Sequence, residues 1–279
     1  MTEKIIIITS FIKSILKKND KNKLVIGISG GIDSAVSLTL ATQSIGKENV
    51  YPFLLPYGDQ DILDAMEICR FNQIPTGNIK MINIKKNVDT IRNEIEEQCH
   101  SDPNGIRAQN QIQKNDSKAG LQPAQNDAEF KVRIGNIMAR VRMIMIFDQA
   151  KKLGALVCGT ENKSEKYLGY FTRFGDEASD LEPLQHLYKT QVWRLAKELK
   201  LPQKFIDKQP SAGLWDGQSD EQELGFSYAQ ADLVLVQLID KNIKAKEIKI
   251  NGMEQKIIDK VIKQVKSQHF KHEVPYRLE

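Results

Sequence analysis

Residues 24–36 read Leu-Val-Ile-Gly-Ile-Ser-Gly-Gly-Ile-Asp-Ser-Ala-Val. The apolar run Leu24 to Ile28 predicts a buried strand, and Ser29-Gly30-Gly31 a tight loop that opens a helix. Asp33 or Ser34 is placed to cap that helix. Loop amides at a helix N-terminus form an anion site, and Asp33 sits where it could hold a metal on that anion. A glycine-rich strand-to-helix turn with no ligand is the plainer reading of the same pattern.

The loop differs from its lookalikes. No Gly-Lys-[Ser/Thr] follows, so it is not a Walker P-loop, and Ser29 and Ile32 break the dinucleotide pattern G-x-G-x-x-G. Gly27-Ile28-Ser29-Gly30-Gly31 does match G-x-S-x-G, the elbow of serine hydrolases. That reading is set aside because the strand is the first in the chain and no acid and late histidine complete a triad.

Beyond this stretch, strands and helices alternate. Val50–Leu55 and Ile79–Ile84 are further apolar runs, and Ala155–Gly159 is a fourth. Helices are expected near 34–45, 59–72 (stripe Ile62, Ala65, Met66, Cys69) and 86–98. Short apolar strands separated by helices predict an α/β fold, a Rossmann-like parallel sheet with helices on both faces. Ligands of such sheets bind beyond the carboxyl ends of the strands, where Ser29-Gly30-Gly31 and Thr160 both fall. Ile5, Ile8, Ile12, Ile15 and Leu16 lie at helical spacing with no small-residue cleavage site after them, which favours a surface helix over a signal peptide.

Residues 100–127 are rich in Gln, Asn, Asp, Lys and Gly, and are expected to form a mobile loop within a single domain spanning 1–279. The helix after it carries an apolar face of Ile134, Ile137, Met138, Val141, Ile144 and Met145. A second stripe of Arg133, Asn136, Arg140 and Met143 points Asn136 and Arg140 the same way, while Arg142 points elsewhere. An arginine beside an asparagine can take a carboxylate or phosphate in its planar fork; a solvated charged stripe is the ordinary alternative. Glu165 follows the fourth strand and could ligate Mg²⁺, which takes one or two carboxylates plus phosphate oxygens. Tyr170, Phe171 and Phe174 could stack on a planar ring or belong to the core. The run from Gln218 to Glu221 is placed to cap a short helix, and the C-terminal third is mainly helical.

Bulk properties agree. The 279 residues are 41% hydrophobic, enough to bury a sizeable core, and the net charge of +4 suits an anionic substrate but not nucleic acid. Three cysteines with no Cys-x-x-Cys spacing fit a reducing, cytoplasmic compartment, and no apolar run approaches a membrane span.

Ser-Gly-Gly-Ile-Asp-Ser at 29–34 resembles the pyrophosphate loop of the N-type ATP pyrophosphatases, which include NAD, GMP and asparagine synthetases and several tRNA-modifying enzymes. Leu55-Pro56-Tyr57-Gly58, Gly135-Asn136 with Arg140 and Arg142, Gly159-Thr160 with Glu165, and the stretch Gly169–Pro183 narrow the resemblance. With Pro210-Ser211-Ala212, Gln218-Ser219-Asp220-Glu221, Lys271 and Val274-Pro275, they resemble the NAD synthetase family, in its order and over nearly the whole chain.

The resemblance implies an adenine nucleotide alpha-hydrolase-like fold. It also implies ATP-dependent amidation of deamido-NAD⁺, through an acyl-adenylate, with no covalent protein nucleophile. It assigns Ser29, Gly30, Gly31, Asp33, Ser34, Thr160, Lys189 and Ser211 to ATP, and Asp33 and Glu165 to Mg²⁺. It assigns Arg140, Arg173, Asp180, Phe270 and Lys271 to deamido-NAD⁺. Many relatives carry Lys where this chain has Arg173, and His-Lys where it has Phe270-Lys271, so Phe270 could stack or pack instead. With the loop already at residue 29, no glutaminase domain is expected upstream, which implies the ammonia-dependent type, a homodimer in short family members. Amidation of another nucleotide and a non-catalytic nucleotide sensor are the competing readings.

Overall fold

A computed structural model describes residues 3–100, 123–215, 217–273 and 275–276. Four parallel strands, β1 (Leu24–Gly27), β2 (Val50–Leu54), β3 (Lys80–Met81) and β4 (Leu156–Cys158), lie in the order β3-β2-β1-β4. Leu24 stands beside Val50 on one side and Leu156 on the other. The chain therefore leaves β1 toward β2 and later returns to the opposite edge of β1. That reversal opens a crevice between the ends of β1 and β4, the position where doubly wound sheets bind ligands.

Both faces of the sheet are covered, and the strands alternate accordingly. Leu24, Ile26, Val50, Leu54 and Cys158 pack into one core with α1 (Glu3–Lys18) and α2 (Ile32–Ile45). Val25, Phe53 and Val157 pack into the opposite core, with Val88 of α4 (Lys85–His100) and Met138 and Val141 of α5 (Pro123–Leu153). In α1, Ile5, Ile8, Ile12 and Leu16 are buried, as their spacing predicts. A third cluster lies in the helical C-terminal part, around Tyr228, Val234 and Ile258. Trp193 of α7 (Lys189–Glu198) packs against both this cluster and the first.

Several expectations need correction. The third strand shrinks to two exposed residues, Lys80 and Met81, beside Phe53 and Leu54 of β2; past them, Ile82 N donates to Leu54 O at 3.0 Å and Ile84 N to Pro56 O at 2.9 Å outside the strand. Neither Asp33 nor Ser34 caps α2: Gly31 is the cap residue, and Ser34 Oγ donates back to Gly31 O at 3.0 Å. The loop expected over 100–127 has helix at both ends, since α4 reaches His100 and α5 starts at Pro123. Its centre, 101–122, lies outside the described residues, as does Val274. Ile144, placed on the apolar face of α5, is 58% exposed. The short helix Asp220–Leu224 has no side-chain cap from Ser219; Glu221 instead accepts from Tyr228 N at 2.9 Å.

Candidate active site

A cleft of about 530 Å³ runs along the carboxyl ends of β1, β2 and β4. The loop after β1 forms one wall. Gly30 there has φ +77°, a left-handed conformation that glycine adopts without strain, and is buried against α3 (Leu63–Phe71). A Cβ on it would fall 2.9 Å from Asp64 Cβ and 3.1 Å from Ala65 N. Ser29, Gly31, Asp33 and Ser34 line the cleft, while Gly30 turns the chain behind them. Ser29 Oγ lies 3.2 Å from Ser34 Oγ and accepts from Gly31 N at 3.3 Å. Among the described residues, no histidine is a hydrogen-bond partner of Ser29 Oγ.

The chemical centre lies beside this loop. Lys189 opens α7, is 2% exposed, and extends between two carboxylates. Its Nζ donates to Asp33 Oδ2 at 2.5 Å and to Glu165 Oε1 at 2.9 Å. Asp33 Oδ1 accepts from Asn162 Nδ2 at 2.9 Å. Glu165 also has a structural role. With Asn162 it forms the capping box of α6 (Lys163–Leu168), Asn162 Oδ1 accepting from Glu165 N at 3.0 Å. Burial works against the charge of Lys189, and the two carboxylates overcome it and hold its pKa up. Burial pushes Glu165 up as well, against the pull of Lys189. Two partly accessible carboxylates on one cation are a donor set suited to a hard divalent ion that brings phosphate oxygens with it. No cluster of three or more metal-ligating side chains occurs among the described residues.

Thr160 lines the cleft beyond β4, and Ser211 lines it from the loop before Asp220–Leu224. That loop is tied down by Asp220, whose Oδ1 accepts from Ala212 N at 3.0 Å. Lys271 also lines the cleft, but its Nζ is engaged by backbone, donating to Gly169 O at 2.5 Å and Phe171 O at 2.8 Å. Tyr170 and Phe171 line the cleft, whereas Phe174 is 51% exposed outside it.

Not all the predicted residues converge. Arg140 is exposed, and its Nε donates to Arg173 O at 3.2 Å. The Arg173 guanidinium lies 5.5 Å from the Phe174 ring centre and 5.7 Å from that of Phe270. These three predicted residues form a surface group outside the cleft lining. Asp180 lies outside it too, since its Oδ2 accepts from Val157 N at 2.7 Å and so anchors β4.

Arg142 is the residue that the sequence reading passed over. It lines the cleft together with Asn136, its Nε donating to Leu55 O at 3.0 Å and its Nη2 to Gln60 Oε1 at 3.1 Å. Burial lowers its pKa to about 10, which leaves it charged at neutral pH. The stripe expected to point one way is divided: Asn136 and Met143 line the cleft with Arg142, and Arg140 does not.

A glycine loop after the first strand, a parallel sheet reversing at that strand, and half-buried carboxylates beside the loop define an α/β nucleotide-site protein of the adenine nucleotide alpha-hydrolase-like fold. The NAD synthase family model matches residues 4–275. An NH(3)-dependent NAD(+) synthetase of Pyrococcus furiosus is 40% identical over 263 residues, covering 93% of this chain and 89% of that protein. The chain therefore belongs to the NAD synthase family. Among solved structures, the NH3-dependent NAD synthetase of Campylobacter jejuni aligns with TM-score 0.71 and 28% identity, covering 99% of this chain and 98% of that one. The NMN synthetase of Francisella tularensis aligns with TM-score 0.76 and 26% identity over the same shares.

Proposed function

We propose that this chain is a ligase that joins ammonia to the carboxyl group of deamido-NAD⁺ at the expense of ATP, giving NAD⁺, AMP and pyrophosphate. The observation that carries this is the Asp33–Lys189–Glu165 group set beside the Ser29–Gly31 loop, in a chain of this family. A carboxylate is a poor acyl donor. Transfer of AMP to it releases pyrophosphate and makes a good leaving group. Ammonia then attacks the acyl carbon, the C–N bond forms, AMP departs and the nitrogen loses a proton. No protein nucleophile is required, and catalysis rests on placing two large anions and spreading the charge of the departing pyrophosphate.

In this reading the Ser29–Gly31 amides, Ser29 Oγ and Ser34 Oγ receive the pyrophosphate. Lys189 offsets phosphate charge, and Thr160 and Ser211 meet the nucleotide. Asp33 and Glu165 would hold Mg²⁺, which supplies charge neutralisation on the phosphates. Lys271, Arg142 and Asn136 lie on the acceptor side of the cleft. Arg140, Arg173 and Phe270 lie outside it, which supports a homodimer in which these residues meet the dinucleotide bound by a second copy. Three cysteines without pairing spacing support a cytoplasmic setting.

The likeness to an NMN synthetase favours one second reading, in which the acceptor is the corresponding mononucleotide. Purified protein is given ATP, Mg²⁺ and either acceptor, with ammonium or glutamine as nitrogen source. AMP and NAD⁺ formed from deamido-NAD⁺ and ammonium are the expected products. ADP as product, or turnover of the mononucleotide alone, would overturn the reading.

A further inference from the structure

Lys208 is not among the residues that the family resemblance assigns, yet its ammonium lies on the phosphate loop. It follows the short helix Gln203–Asp207 and lines the cleft. Nζ donates to Gly30 O at 3.2 Å and to Asp64 Oδ2 at 2.5 Å. Asp64 lies in the first turn of α3, against which the Gly30 turn is packed too closely for a side chain without a shift. Lys204 lies 2.9 Å from the other oxygen, Asp64 Oδ1, and also pairs with Glu67.

This arrangement differs from that of Lys189. Lys189 is buried and fixed between two carboxylates. The Lys208 side chain is 45% exposed and that of Asp64 29%, so their pair is solvent-screened and contributes little. If Lys208 leaves, Asp64 keeps Lys204, and no carboxylate is stranded. Gly30 O loses one donor.

We infer that Lys208 is an exchangeable phosphate contact. It rests on Asp64 when the cleft holds no anion, and it moves to a phosphoryl oxygen of a triphosphate or pyrophosphate on the Ser29–Gly31 loop. The inference rests on the proposed reading of that loop as the pyrophosphate site. It adds a cation that can follow the leaving group, whereas Lys189 cannot.

The test is calorimetric binding of Mg-ATP, Mg-pyrophosphate and AMP to the full chain, to Lys208→Met and to Lys208→Arg, with thermal melts as a folding control. Lys208→Met should weaken ATP and pyrophosphate by roughly ten- to a hundredfold, the effect of one hydrogen bond to a charged group. AMP binding should stay unchanged, because AMP has no β- or γ-phosphate, and Lys208→Arg should keep most of the affinity. Asp64→Asn, which removes the resting partner, should tighten ATP. Equal losses for ATP and AMP would mark Lys208 as structural, and unchanged ATP binding in Lys208→Met would also overturn the inference. If the unaltered protein binds neither ATP nor pyrophosphate, the pyrophosphate-loop reading itself falls and this inference falls with it.

Discussion

Lys189 keeps a charge where little water reaches it, and the contacts of Asp33 and Glu165 make that tolerable. Removing one member of a buried ion group leaves the others uncompensated, at a cost of roughly 3–5 kcal/mol. Lys189→Met should therefore lower unfolding stability by about that amount in urea titrations without Mg²⁺; a loss under ~1 kcal/mol would show that the group is better hydrated than its 3% side-chain exposure implies. Asp33→Asn should lose ~3 kcal/mol of transition-state stabilisation, read as a drop in kcat/KM for ATP, if the carboxylate acts as one oriented group. A second pair of carboxyls controls stability rather than chemistry. Glu161 is 8% exposed, and burial pushes it up to about 7, the carboxylates of Asp176 and Glu177 adding to the rise. Burial likewise pushes Glu182 up to about 8, and Glu161 adds to it. Between the ordinary value of 4.5 and these raised values, the folded chain holds protons that the unfolded chain has released. Stability should fall as pH rises through that window and level off above it. Glu161→Gln removes its share, up to ~3 kcal/mol at pH 8. Denaturant midpoints from pH 5 to 8.5 check this: profiles that run parallel in both proteins would rule it out.

The element that most constrains these carboxyls is the end of β4. A Cβ on Gly159 would fall 1.7 Å from Glu182 Oε1, inside the space that the carboxylate occupies. Glu182 is not free to step aside, because Oε1 accepts from Ser179 Oγ at 2.8 Å and Oε2 from Glu161 N at 3.0 Å. Gly159→Ala should cost about 1–3 kcal/mol, as overpacking does. Glu182→Ala in the same chain should recover most of it, a coupling that a double-mutant cycle measures; additive losses would mean that Gly159 is needed for another reason. The strand-to-helix turn at 24–36 was legible because two local signals agree there: an apolar run and the two glycines that end it. β3 was overread, since hydrophobicity marks Ile79 to Ile84, whereas the strand pairing with β2 is confined to Lys80 and Met81. Glu165 was legible as a polar residue after β4, but its contact with Lys189 spans 24 residues and its closeness to Asp33 depends on the reversal of the sheet. Arg142 was missed for the same reason: helical spacing tells which residues share a face, not which face meets the cleft.

Across the whole molecule, the cleft is held from behind by the C-terminal helix and is walled on another side by α5, through Asn136, Arg142 and Met143. Gln264 Nε2 donates to Leu168 O at 2.9 Å, and Lys271 to the carbonyls of Gly169 and Phe171, so the segment lining the cleft is fixed by backbone contacts. On the other side, α5 presents Phe130, 41% exposed, and Ile144, 58% exposed, two heptads apart on one face. Arg140 is exposed on the same helix and donates to Arg173 O. Exposed apolar residues interleaved with arginine, next to a cleft that excludes predicted substrate contacts, fit an interface between two copies better than a solvated surface. If the proposed homodimer uses this face, a charge at its centre should separate the copies without disturbing the fold, because Ile144 contributes little to the core of one chain. Ile144→Glu should elute as a monomer in light-scattering chromatography at micromolar concentration, with a melting temperature that no longer depends on protein concentration. It should still bind ATP, whose contacts lie within one chain, but lose turnover of deamido-NAD⁺ by at least tenfold, because Arg140 and Arg173 no longer face a second copy's dinucleotide. A monomeric variant with full turnover would leave those two arginines without a role in the acceptor site, and a variant that stays dimeric would move the interface off this face of α5.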